Sequence, residues 1–367
     1  MGATGLDELA ASLISAIERG FEAAHFETLA LELFALQYER NPAYRALCAA
    51  SRATPGSVRD WTQIPHAPAA AFKELELTSL APEQRTHVFH SSGTTGQRCS
   101  RHVHGSRSLA LYEASLLASF EPHLLPESRG ARDVRIVALT PAPSEAPHSS
   151  LAHMLERVMS RFGGEGSCFV GRVDSGGAWQ VDPARLWTQL NAEEGAAGGA
   201  RPVVMLGTAF GLVHLCDGLR ELGLALELPP GSRVMETGGY KGRSRELDPE
   251  DLHRLVADTL GVGREWIVRE YGMSELSSQA YDRRAGESGA GGRFHFPAWA
   301  RARAISPETG RECAPGVPGL LRVWDLANVY SVAVLQTEDR VVADGAGFRV
   351  LGRAQTVEPR GCSLMSP

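Results

Sequence analysis

The segment with the clearest chemical signal is a run of hydroxyl residues and glycines: Ser91, Ser92, Gly93, Thr94, Thr95 and Gly96. Glycines let a backbone turn tightly and approach an anion closely. The hydroxyls and consecutive backbone amides can donate hydrogen bonds to phosphate oxygens. The run lacks the Gly-Lys-Ser/Thr of a P-loop and the glycine spacing of a dinucleotide-binding turn. Such residues also form ordinary loops, so both interpretations stay open on this segment alone.

Three further segments combine glycines with aromatic or charged residues. They are the turn with Gly238, Gly239 and Tyr240, the run Tyr271, Gly272, Met273, Ser274 and Glu275, and the pair formed by Asp339 and, further on, Arg353. Each has a plain structural interpretation. Tyr271 suits a core aromatic, Glu275 a solvated carboxylate at the start of a helix, and Asp339 a turn residue.

Taken in order, these segments resemble the motifs of adenylate-forming enzymes. Within that superfamily the chain resembles the LuxE family of acyl-protein synthetases. The segments ETGGYKGR (236–243) and YGMSELSSQAYD (271–282) carry this resemblance best. The segments PHSSLAHM (147–154) and FK (72–73) support it, and the likeness runs from about Ile64 to Cys362. Phenylacetate-type CoA ligases share the wider pattern.

The resemblance implies a role for each motif. The run 91–96 is then the loop that binds the phosphates of ATP, and Gly238, Gly239 and Tyr240 lie along adenine and the acyl pocket. Tyr271, beside Gly272, packs on adenine. Ser274 touches the α-phosphate and Glu275 holds Mg²⁺, a hard cation that prefers carboxylate and phosphate oxygens. Asp339 binds the ribose hydroxyls, and Arg353 lies at the hinge near the ribose or phosphate.

The sequence also departs from the superfamily pattern. Gln97 and Arg98 stand where a lysine commonly follows the loop, and Gln355 and Thr356 replace acidic hinge residues. The chain ends soon after Arg353, so the mobile C-terminal domain of the larger relatives is expected to be absent, as the resemblance to LuxE also implies.

Cys362 is the residue to which the resemblance assigns acyl transfer. A thiolate is the nucleophile, and the nearby cation Arg360 favours it. An extended tail from Arg353 to Cys362 can reach on the order of 30 Å. The alternative is that Cys362 is only an exposed tail residue. Cys168 and Cys216 suit structural positions, and Cys99 is a distant second candidate for the acceptor.

Strand, loop and helix patterns alternate through the middle of the chain. This predicts an α/β fold with a mostly parallel sheet, like the N-terminal domain of adenylate-forming enzymes. We expect an N-terminal helical segment (1–60), an α/β adenylation core (61–296), a small antiparallel β lobe (297–353) and a tail carrying Cys362 (354–367).

Composition excludes several classes of protein. The formal net charge is −6 with both signs interspersed, so no basic patch suggests nucleic-acid binding. No apolar run has membrane-spanning length, and no secretory signal is visible. The six cysteines form no CxxC pair, which argues against a structural zinc site. A cytoplasmic protein is expected.

The predicted function is ATP- and Mg²⁺-dependent activation of a fatty or other carboxylic acid, followed by transfer to a protein thiol. An acyl reductase or an acyl-carrier protein is the expected partner. Two alternatives stay open: transfer to CoA or to a carrier protein without Cys362, and a catalytically silent subunit that binds a reductase. The residues leave the chain length of the acid and its aliphatic or aromatic character open.

Overall fold

The computed structural model describes residues 5–91, 98–127, 133–191, 201–239, 246–289, 291–345 and 347–354. Within these ranges the α-helices are α1 (Gly5–Arg19), α2 (Phe26–Arg40), α3 (Pro42–Ala50), α4 (Ala71–Glu74), α5 (Ser106–Leu124), α6 (Ser150–Phe162), α7 (Pro183–Asn191), α8 (Ala209–Glu221) and α9 (Pro249–Leu260). The strands are β1 (Ala67–Pro68), β2 (His87–His90), β3 (Arg101–His104), β4 (Arg135–Ala138), β5 (Cys168–Phe169), β6 (Gly171–Val173), β7 (Trp179–Val181), β8 (Val203–Thr208), β9 (Arg233–Thr237), β10 (Ile267–Tyr271), β11 (Ala280–Tyr281), β12 (Ala300–Ile305), β13 (Pro318–Asp325), β14 (Val334–Ala343) and β15 (Phe348–Arg353).

A six-stranded sheet forms the centre of the α/β part. Its strand order is β11-β10-β9-β8-β4-β5, and every neighbouring pair is parallel except β10 with β11. Successive residues of β8 enter opposite cores: Val203 and Met205 face one, and Val204 and Leu206 face the other. Helices α7, α8 and α9 cover the first face, and α5 and α6 cover the second. The predicted α/β fold with a mostly parallel sheet is confirmed.

A second sheet contains the C-terminal strands. Its order is β1-β14-β13-β12, with β15 also paired to β14. All of its pairs are antiparallel except β1 with β14. One hydrophobic core joins this sheet to the N-terminal helices, from Leu13 of α1 and Phe34 of α2 to Val323 of β13 and Leu335 of β14. The division of the chain into four segments stays a prediction, with helices and sheet sharing this core.

Two short paired strands flank the glycine-rich run in sequence. Strands β2 and β3 pair antiparallel from His87 with His104 to His90 with Arg101. The backbone N–H of Ser100 donates to Ser91 Oγ at 3.0 Å, which closes the base of the connecting segment. The run 91–96 therefore belongs to the connection between two paired strands. In the described ranges no helix is long and apolar enough to cross a membrane.

Candidate active site

The carboxyl ends of β9 and β10 meet at one edge of the central sheet. Thr237, at the end of β9, pairs with Glu270 of β10, so Gly238 and Tyr271 follow side by side. Gly239 has a φ of +117°, a backbone conformation that favours glycine. Among the described residues, no atom lies within 4 Å of a β-carbon built on Gly238 or Gly239. These glycines lie at the sheet edge where α/β folds commonly bind ligands.

Three of the predicted site residues are in contact. The Tyr271 hydroxyl donates to Asp339 Oδ2 at 2.7 Å, although 68 positions separate the two residues. Arg353 Nε lies 3.6 Å from Asp339 Oδ1, and β14 and β15 pair these two residues directly. The contacts link the end of the central sheet to the second sheet. Because Asp339 lies within β14, its interpretation as a turn residue is wrong.

The Tyr271 ring belongs to an aromatic cluster. Its centroid lies 5.3 Å from that of Phe348, 5.8 Å from that of Phe294 and 6.3 Å from that of Phe296. Burial, together with the charge of Asp339, raises the pKa of Tyr271 well above its usual value. The hydroxyl therefore stays a donor at neutral pH. Tyr271 packs as a core aromatic and at the same time holds a polar contact to Asp339.

Ser274 and Glu275 form a bonded pair beside this cluster. Ser274 Oγ donates to Glu275 Oε2 at 3.1 Å, and Asn328 Nδ2 donates to the Glu275 carbonyl at 3.0 Å. Glu275 is buried, and no helix begins at it. Its interpretation as a solvated carboxylate at a helix start is wrong.

A magnesium ion brought in by a nucleotide suits these residues. Among the described residues no group of three or more His, Cys, Asp or Glu side chains can hold a metal by itself. Magnesium in phosphate sites is usually held by one or two carboxylates together with phosphates and waters. Glu275 would supply one such carboxylate, and its neighbour Ser274 would add a hydroxyl.

Several predicted site residues lie outside the described residues: Ser92, Gly93, Thr94, Thr95, Gly96, Tyr240 and Cys362. Arg98, which stands near the position of the superfamily lysine, is described. Its Nη1 forms an ion pair with Glu74 Oε2 at 2.7 Å, and both side chains are more than half exposed.

Two further groups reach the site that the motifs do not include. Glu270 is buried directly behind Gly272, and a β-carbon on Gly272 would collide with its Oε1. His102 of β3 bonds to the Ser274 carbonyl. The one sequence signal for His102 is the alternation His102-Val103-His104, which is typical of a strand with one buried face.

Comparisons with known proteins give the family and the fold. The family described as "Acyl-protein synthetase, LuxE" matches residues 21–366. The chain belongs to the LuxE family. It is therefore a ligase that activates an acyl group and transfers it.

Two similar proteins carry the name long-chain-fatty-acid–luciferin-component ligase. The protein of Aliivibrio fischeri is 21% identical over 349 residues, which covers 92% of this chain and 86% of that protein. The protein of Vibrio harveyi is 22% identical over 337 residues, covering 89% of this chain and 83% of that protein.

Solved structures of adenylate-forming ligases share the fold. A 2-hydroxyisobutyryl-CoA ligase in complex with 2-HIB-AMP and CoA matches with a TM-score of 0.64 and 14% identity, covering 91% of this chain and 71% of that one. ATP-bound MatB from Rhodopseudomonas palustris matches with a TM-score of 0.50 and 16% identity, covering 95% and 72%.

Proposed function

We propose that this LuxE-family chain uses ATP to convert a fatty acid into an acyl-adenylate and then carries the acyl group on its own Cys362. The observation that supports it most is the contact between Tyr271, Asp339 and Arg353. These residues come from three separate strands, and they meet beside the turn that begins at Gly238 and Gly239.

In the first step a carboxylate oxygen of the acid attacks the α-phosphorus of ATP. The bond from that phosphorus to the bridging oxygen breaks, and pyrophosphate leaves with the electron pair. Asp339 accepts hydrogen bonds from the ribose hydroxyls, and Arg353 offers a cation beside it. Mg²⁺, held by Glu275, would offset charge on the phosphates. Catalysis rests on positioning and on electrostatic stabilisation.

In the second step the Cys362 thiolate attacks the acyl carbon. A thioester forms, the bond to AMP breaks, and AMP leaves. The acyl group then passes to an acyl reductase or to an acyl-carrier protein. In the competing route, the thiol of CoA or of an acyl-carrier protein attacks the acyl-adenylate directly, AMP leaves, and Cys362 takes no part. The third hypothesis is a catalytically silent subunit.

Acid-dependent exchange of labelled pyrophosphate into ATP tests the first step. We expect exchange with at least one member of a panel of fatty and aryl acids. An Asp339→Asn variant should lose affinity for ATP, while Glu338→Gln keeps it, because the neighbouring Glu338 is exposed on the same strand. Absence of exchange across the panel would favour the silent subunit.

A further inference from the structure

His102 connects the strand after the glycine-rich run to the segment that carries Glu275. Its Nδ1 lies 2.8 Å from the Ser274 carbonyl oxygen. A carbonyl only accepts hydrogen bonds, so Nδ1 carries the proton. The imidazole is buried. His102 lies two residues after Ser100, whose backbone N–H donates to Ser91 Oγ.

Asn328 holds the same segment from the other side. Its Nδ2 donates to the Glu275 carbonyl at 3.0 Å and to the Val332 carbonyl at 2.9 Å. Its Oδ1 accepts a hydrogen bond from Ser277 Oγ at 3.2 Å. Two adjacent peptide carbonyls, those of Ser274 and Glu275, are therefore fixed by two buried side chains.

The His102 imidazole is uncharged at neutral pH. Burial lowers its pKa from 6.5 to about 4, and hydrogen bonds to the Ser274 carbonyl and the Asn328 side chain offset part of the effect. His102 thus adds no positive charge beside Glu275, and its contribution to the site is geometric.

We propose that His102 is a positioning residue for adenylation, which holds the backbone of the Ser274–Glu275 pair against strand β3. Ser274 Oγ and the Glu275 carboxylate then meet the nucleotide phosphates from a fixed position. This inference rests on the proposed function.

His104 provides a matched control on the same strand. It is as buried as His102, and the two ring centroids lie 4.2 Å apart. Neither nitrogen of His104 has a hydrogen-bond partner among the described residues. Removing its imidazole disturbs the same core without touching the Ser274 carbonyl.

The test compares His102→Leu, His102→Asn and His104→Leu in acid-dependent pyrophosphate exchange. We expect His102→Leu to lower kcat about 10- to 100-fold, as loss of a group supporting a metal-binding carboxylate does. It should also raise the Mg²⁺ concentration needed for half-maximal rate and leave the KM for the acid unchanged. His102→Asn should recover much of the rate, because its amide nitrogen can replace Nδ1, and His104→Leu should keep the wild-type rate.

Two results would overturn the positioning role. One is a wild-type kcat and Mg²⁺ requirement in His102→Leu. The other is an equal loss in His102→Leu and His104→Leu that follows their melting temperatures. If the wild-type protein exchanges no pyrophosphate with any acid, the proposed function fails separately. In that case the affinity for MgATP, measured by calorimetry, tests the role of His102. An affinity of His102→Leu equal to that of wild type refutes this role.

Discussion

Two buried carboxylates on neighbouring strands of the candidate site have opposite pKa shifts. Burial would raise the pKa of Glu236, but His253 and Arg269 outweigh it and lower that pKa. The groups that shift the pKa of Glu270 include no cation. Burial, with the negative charge of Glu236, raises its pKa from 4.5 to about 7, and a hydrogen bond with Thr237 only partly opposes this. The protein therefore carries a carboxyl group that changes charge near neutral pH beside Gly272.

Glu270 should make the protein less stable as pH rises. The folded protein holds this proton up to about pH 7, whereas the unfolded chain loses it near 4.5. The folded state therefore binds more protons across that window, and the free energy of unfolding falls as pH rises through it. Relative to wild type, Glu270→Gln should gain about 2–3 kcal/mol in the free energy of unfolding between pH 5 and pH 8.

Urea denaturation at the two pH values measures this difference. Exposed Glu338→Gln serves as the control and should show no such pH dependence. A constant difference between Glu270→Gln and wild type from pH 5 to pH 8 would show that Glu270 is ionised in the folded protein at both values.

Glu275 should matter for chemistry more than for folding. Glu275→Gln keeps the shape of the side chain and an oxygen for the Ser274 hydroxyl to donate to, but it removes the charge. Adenylation should fall on the order of 100-fold or more, because metal-assisted charge stabilisation contributes several kcal/mol. The melting temperature should stay close to that of wild type. Pyrophosphate exchange and thermal unfolding of the same sample measure both, and normal exchange would remove Glu275 from the site.

Asp339 should act through nucleotide binding. Asp339→Asn keeps an oxygen for the Tyr271 hydroxyl but loses the charge beside Arg353 and part of its capacity to accept hydrogen bonds. We expect ATP binding to weaken by about 1–3 kcal/mol. Isothermal titration calorimetry measures the dissociation constant. An affinity equal to that of wild type would mean that ribose binds elsewhere.

Among the elements, helix α2 makes a buried polar connection to the loop before β14. Gln37 Nε2 donates to the carbonyls of Asn328 and Val329 at 2.8 and 3.0 Å, and its Oε1 accepts from the Ala333 amide at 3.0 Å. Asn328 is also the residue that holds the Glu275 carbonyl. The N-terminal helices thus support the active-site segment through one amide side chain.

Gln37→Ala should therefore destabilise the protein clearly. It removes the bonds to the Val329 carbonyl and the Ala333 amide, for which no other partner is found among the described residues, while the Asn328 carbonyl keeps the Ser331 amide. Each buried group left without a partner costs about 1–3 kcal/mol. We expect a loss of several kcal/mol in the free energy of unfolding, whereas exposed Glu32→Ala on the same helix should change it little. Equilibrium denaturation compares the two. Equal small losses would mean that water replaces these bonds at no cost.

The sequence predicts some elements well for physical reasons. The apolar runs of β4 and β8 are buried on both faces, and such runs are recognisable in any parallel sheet. Strand β14 is longer than its apolar start indicates, because its later residues alternate between buried Thr337 and Val341 and exposed Glu338 and Arg340. The sequence of its charged half therefore has the hydropathy pattern of a loop.

The candidate site was also predicted only in part. Resemblance to known motifs indicates Tyr271, Asp339 and Arg353 as site residues, and the structure brings these three into contact. Residue spacing alone does not bring together two residues that are 68 positions apart. His102 was not predicted to serve the site, because a histidine on a short strand shows neither its burial nor its partner until the hairpin packs against the Ser274 segment.

At the scale of the whole molecule, the candidate site and the proposed acceptor, Cys362, belong to different parts of the chain. The residues that would hold the nucleotide meet where the two sheets join. Cys362 lies outside the described residues, nine positions after Arg353. An extended segment of that length reaches on the order of 30 Å. We propose transfer within one chain because this reach is long enough for the thiol to enter the site from the tail.

The intact mass of the protein tests this account most directly. Wild type and Cys362→Ser are each incubated with Mg²⁺, ATP and a panel of fatty and aryl acids, and their masses are measured before and after hydroxylamine. We predict that wild type gains one acyl group, labile to hydroxylamine and mapped to the C-terminal peptide. Cys362→Ser should form acyl-AMP but gain no labile acyl group, because a serine hydroxyl is far less ionised than a thiol. An adduct on Cys99, or acyl-AMP without any adduct on wild type, would contradict self-acylation at Cys362.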